Sequence, residues 1–105
     1  MKLFTKEIKN IKVEGRLFHC IIDQTPQLEA VIFKIYPAST KTSYCQMSFS
    51  WTAAWSVTFH KPSVCASLIR YALGSGWDPS LEKNRWEIPD ADFLIHKLQL
   101  DNLEG

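Results

Sequence analysis

The chain has 105 residues, 46% hydrophobic and 22% charged, with only four Gly and five Pro, which is the make-up of one domain over 1–105 rather than a tail or linker. Twelve Lys and Arg against eleven Asp and Glu leave a formal charge of +1, so no overall basic field points to nucleic acid or to an anionic membrane. Aromatic residues reach 12% and include four Trp, a high content for a chain this short.

At the amino end, Lys2, Lys6 and Lys9 interrupt Leu3, Phe4 and Ile8, so there is no continuous apolar run of the kind a signal peptide carries. No window approaches the roughly 18 apolar residues of a membrane-spanning helix, and the chain is expected in the cytoplasm. Phe4, Ile8 and Ile11 stand at helical spacing, so Leu3 to Ile11 reads as a short helix or an irregular arm.

Past Gly15, the run Leu17 to Asp23 and the run Ala30 to Tyr36 are rich in β-branched and aromatic residues, with Thr25, Pro26 and Gln27 as the turn between them. Both are apolar on two faces, which suits central strands, and Pro37 ends the second. Tyr44 to Trp51 alternates cleanly, with Cys45, Met47, Phe49 and Trp51 on one face. Trp55, Val57 and Phe59 repeat the alternation, so Thr52, Ala53 and Ala54 read as the turn of an antiparallel hairpin.

Pro62 suits the first position of a helix, and Val64, Cys65, Leu68, Ile69, Ala72 and Leu73 then form one apolar stripe. Gly74 and Gly76 can take the left-handed conformation that ends a helix, and Trp77, Asp78 and Pro79 turn the chain. Arg85 to Ile88 is a short strand stopped by Pro89. Asp90 is placed to cap a last helix from Ala91 to Leu100 with Phe93, Leu94 and Leu98 inward, the alternative being an edge strand over Phe93 to Ile95. The fold expected is α+β: an antiparallel sheet of four or five strands with one main helix packed on one face and a short C-terminal helix.

Leu68 to Pro79, with its ending Gly74-Ser75-Gly76-Trp77-Asp78-Pro79, resembles a pattern of small uncharacterised bacterial proteins in which a proline-started helix ends in Gly-Trp-Asp-Pro before a short aromatic strand. Some products of integron gene cassettes are similar to this over about a third of the chain, residues 55 to 88. The resemblance implies an α+β architecture and an accessory bacterial gene, and it carries no activity or site residues.

Chemistry-bearing patterns are few. Cys20, Cys45 and Cys65 are odd in number and far apart, which excludes a disulfide framework and a cysteine-pair zinc site and reads as buried apolar residues in a reducing compartment. His19, His60 and His96 stand alone, so no metal and no cofactor is expected. There is no nucleophile elbow and no phosphate-binding glycine loop. His60 and Lys61 at the helix start, with Arg70 and Arg85, form a candidate anion patch, and Asp78 beside Trp77 a candidate pocket mouth. The apolar face carrying Met47, Trp51, Trp55 and Phe59 exceeds what one helix covers, making it the candidate surface for a partner or ligand. The function expected is therefore a non-enzymatic interaction or ligand-binding module, homodimeric or bound to another protein, with a small apolar ligand as a further option. A small enzyme-like domain using His60, Tyr71 or Asp78 is the alternative. A nucleic-acid module, resting on the basic amino end, ranks last.

Overall fold

The computed structural model describes residues 6–23, 30–40, 42–54, 57–59 and 61–102. Five strands, β1 (Lys6–Val13), β2 (Arg16–Asp23), β3 (Ala30–Pro37), β4 (Tyr44–Ser50) and β5 (Arg85–Ile88), form one sheet in the order β1-β2-β3-β4-β5. The first four are an antiparallel meander and β5 runs parallel to β4. Helices are α1 (Trp51–Ala54), α2 (Pro62–Gly74) and α3 (Phe93–Lys97), followed by a 3-10 turn at Leu100–Asn102. The molecule is α+β.

The amino end departs from expectation, because β1 is a strand and not a helix or arm. Glu14 and Gly15 both take positive φ, +52° and +79°, so Val13 pairs with Arg16 across a two-residue turn whose twist matches a hairpin. The spacing of Ile8 and Ile11 suggested a helical face, yet β2 offers a ladder partner along all of β1, and tertiary pairing overrides a weak local pattern. The expected turn at Thr25 to Gln27 lies outside the described residues.

The second correction falls after β4. The expected hairpin strand over Trp55 to Phe59 is absent from its described residues: Val57 to Phe59 are not in a strand, and Trp51–Ala54 is a helical turn. Ser50 supports that turn by accepting the Ala53 N–H on its hydroxyl at 3.2 Å, in the manner of an N-cap. The free edge of β4 is taken instead by β5, which is possible because the segment through α1 and α2 is long enough for a parallel crossover.

Along β2, β3 and β4 every second side chain is buried: Phe18, Cys20 and Ile22, then Val31, Phe33 and Ile35, then Cys45, Met47 and Phe49. Val64, Cys65, Leu68, Ile69 and Ala72 of α2 join the same core, as do Phe59, Trp77, Ala91, Leu94, Ile95 and Leu100. α2 starts on Pro62 and ends in a Schellman turn, in which Trp77 N–H donates to Ala72 O at 3.1 Å and Gly76 N–H to Leu73 O at 3.3 Å. Gly76 sits at φ +112°, and a Cβ there would lie 3.5 Å from the Trp86 ring. The last helix is shorter than expected, and Phe93, expected inward, is 49% exposed, edge-on to Tyr71 at 6.3 Å. Asp92 explains the altered start: its carboxylate accepts the Ser50 N–H at 2.8 Å and the Ser50 hydroxyl at 2.7 Å, tying α3 to the end of β4 instead of capping its own helix.

Candidate functional site

Of the four residues of the expected aromatic surface, Met47 is 0% and Phe59 1% exposed, so neither offers area to a partner. Phe59 is packed against the rings of Phe49 at 4.8 Å and Phe33 at 6.2 Å. Alternation along β4 identified one face correctly but not which side of the sheet the rest of the chain would cover. Trp51 is half-buried on α1, and Trp55 lies outside the described residues.

The candidate anion patch is dispersed. His60 lies outside the described residues, Lys61 is the residue before α2, and Arg85 is on β5. Arg70 and Asp78, by contrast, are brought together in an open cleft of about 850 Å³ at the far end of α2, also lined by Glu14, Arg16, Leu73, Gly74, Gly76, Trp77 and Pro79. A smaller depression of about 430 Å³ adjoins it through Arg16 and Pro79. Asp78 accepts the Ser80 hydroxyl at 2.6 Å and the Ser80 N–H at 3.0 Å, and these bonds, with Arg16 adding, hold its carboxyl below the usual carboxylate range. It is ionised at neutral pH and not placed to donate a proton. Trp77 is buried against Phe18 at 6.2 Å, and its indole N–H donates to Asn84 O at 3.1 Å. The same carbonyl accepts the Ser43 hydroxyl at 2.8 Å and the Tyr44 N–H at 3.2 Å, so this loop is pinned to the start of β4.

The cysteines are all buried and free. Cys20 and Cys65 meet between β2 and α2, where the Cys20 thiol bonds Cys65 and the Cys65 thiol donates to Phe59 O at 3.1 Å. The bond to Cys65, together with burial, pushes the Cys20 thiol well above its ordinary value, and burial alone pushes Cys45 up to about 12. Cys20 and Cys45 are therefore unreactive thiols, whereas the same Cys20 bond, with Lys9 adding and burial opposing, holds the Cys65 thiol below its ordinary value. Among the described residues no group of three or more His, Cys, Asp or Glu could hold a metal ion.

What sequence reading missed is the other face of the sheet. The residues alternating with the core, such as His19 and Ile21, Ile32, Lys34 and Tyr36, and Tyr44, Gln46 and Ser48, are all half-buried, while the described helices send their buried side chains into the core on the opposite side. Register turns these residues into rows. Asn10 pairs with His19, His19 with Tyr36, and Tyr44 with Arg85, while Tyr36 and Tyr44 place their rings 5.8 Å apart. One row of Asn10, His19, Tyr36, Tyr44 and Arg85 thus crosses all five strands. The Lys34 ammonium lies 4.2 Å from the centre of the Tyr44 ring and 5.4 Å from that of Tyr36, and the Arg85 guanidinium 5.9 Å from that of Tyr44. His19 Nδ1 is 2.6 Å from Asn10 Oδ1, so the ring is held by its edge neighbour. Ile8 and Leu17, 65% and 43% exposed, are on this face too. The signal in sequence was the second period of the same strands, where Tyr36 belonged to a run apolar on two faces and Tyr44 to the wet face of β4.

Comparison with protein-family models, with curated proteins and with solved structures finds no match to this chain. Among the described residues no helix is long and apolar enough to cross a membrane.

Proposed function

We propose that the protein is a non-enzymatic binding module whose working surface is the outer face of its sheet. The observation that carries this is the cross-strand row Asn10–His19–Tyr36–Tyr44–Arg85, which gathers aromatic, cationic and hydrogen-bonding groups on rigid strands, while the expected surface at Met47 and Phe59 is core. A pre-organised sheet presents such groups at low entropic cost on binding. The chemistry of the described residues points the same way: the three thiols are buried, and Asp78 is held on Ser80. The resemblance of residues 55–88 to integron cassette products supports an accessory bacterial setting and adds no activity. Self-association is kept as one class of partner for this face.

The open cleft supports a second reading, a small-anion site, because the guanidinium-bearing Arg16 and Arg70 come from different elements to line it. It is the weaker of the two. Glu14 and Asp78 line the same cleft, and the carbonyl end of α2 opposes an anion.

Amide chemical-shift mapping against a panel of short oligonucleotides, peptides, nucleotides and carboxylates tests the choice. Perturbations concentrated in β2, β3 and β4 are expected. Perturbations confined to Glu14, Arg16, Arg70 and Asp78 would move the site to the cleft, and turnover of a panel member would end the non-enzymatic reading.

A further inference from the structure

We infer that the outer sheet face binds single-stranded nucleic acid, its bases stacking on Tyr36, Tyr44 and His19 and its phosphates meeting Lys34, Arg85 and Lys12. The inference rests on the reading of that face as the working surface. Three planar rings stand side by side on adjacent strands, about 5 Å apart by strand spacing, and every nucleobase has a π-face that such rings can take without sequence preference. The cations are where a backbone leaving those bases would run. Lys34 and Arg85 lie against the Tyr44 ring, so a base stacking there moves the Lys34 ammonium from the ring to a phosphate, and Lys12 is exposed on β1 two residues beyond Asn10. Of the carboxylates of this face, Asp23 lies at the far end of β2, and Glu87 shares the next cross-strand row with Lys34 through Gln46.

Size separates an oligonucleotide from a second copy of the chain. Four strands of seven or eight residues and a fifth of four span roughly 550 Å², short of the about 800 Å² per partner that a stable protein interface covers, but ample for a few nucleotides. Strand addition is opposed at both edges. β1 carries Lys6, Lys9 and Lys12, and β5 is short, charged and followed by Pro89.

Fluorescence anisotropy of labelled eight-nucleotide oligo-dT and oligo-U, with a matching duplex, tests this at 50 and 200 mM salt. Micromolar binding of the single strands and much weaker binding of the duplex are expected. Tyr44→Leu and Tyr36→Leu should each weaken binding about 5- to 150-fold, while Tyr44→Phe keeps it. Lys34→Gln and Arg85→Gln should each lower the slope of log affinity against log salt by about 0.7, while Arg70→Gln in the cleft changes nothing. Tyr44→Phe keeps the ring, and thermal melts of Lys34→Gln and Arg85→Gln check that loss of their ring contacts leaves the fold intact, so the test stands even where a Leu variant unfolds. Absence of single-strand binding overturns the inference, as does binding indifferent to Lys34 and Arg85. If the chain instead sediments as a dimer that Tyr44→Leu dissociates, the face belongs to a second copy: the nucleic-acid inference fails and the working surface stands. If oligonucleotide binding is lost in Arg70→Gln alone, both fail.

Discussion

Replacing Phe59 by Ala separates a core residue from a docking residue. Phe59 follows no regular element, yet its side chain is 1% exposed and sits within ring contact of Phe49 on β4 and Phe33 on β3. Its carbonyl also accepts the Cys65 thiol, so the ring and the start of α2 are held together. Truncating a fully buried Phe costs about 3–5 kcal/mol, through lost transfer energy and the cavity left behind. Two aromatic contacts are lost with it, which places this site at the upper half of that range. A domain of this size has roughly 5–15 kcal/mol in total, so about a quarter or more of the stability goes. Urea unfolding followed by tryptophan fluorescence and circular dichroism should show the midpoint falling at an unchanged m-value, with Phe59→Leu losing about 1–2 kcal/mol as the milder step. A loss below about 1 kcal/mol for Phe59→Ala would mean that the ring is not part of the core, and the reading of this face as packed would be wrong.

Gly76→Ala should destabilise by about 1–2 kcal/mol, because φ +112° is strained for any side chain, whereas Gly74→Ala, with open space at its Cβ, should be neutral or stabilising; thermal melts of the pair check the contrast. The buried Cys45 thiol, raised to about 12 from 9.0, gives stability that is complete below pH 9 and lost as pH rises towards 12. Urea midpoints across that window should fall with a slope that Cys45→Ala makes shallower by about 1.4 kcal/mol per pH unit at most. Asp92→Ala removes both acceptors of the Ser50 N–H and hydroxyl and should cost about 1–3 kcal/mol, with hydrogen exchange accelerated at the Ser50 amide; unchanged exchange there would refute the tie.

Local chemistry made much of this molecule legible in its sequence. β2, β3, β4, β5 and α2 were readable from period and punctuation: alternation where one face is buried, a 3.6-residue stripe behind Pro62, and a glycine where the helix must end. The buried state of the three cysteines and the role of Gly76 followed from residue type and position. These are properties that each segment has by itself.

Decisions between segments were made by the tertiary structure. The amino end became a strand because β2 could pair with it through Glu14 and Gly15, and the second edge of β4 went to β5 instead of Val57 to Phe59. Alternation says that β4 has two unlike faces, and it is silent on which of them α2, Phe59 and Trp77 will cover. Met47 and Phe59 therefore became core while Tyr36, Tyr44 and Lys34, unremarkable in the sequence, were assembled into a row. A sheet row is made of residues far apart in the chain and joined only by register, so its physical cause is the ladder hydrogen bonding between strands, and no single stretch of sequence contains it.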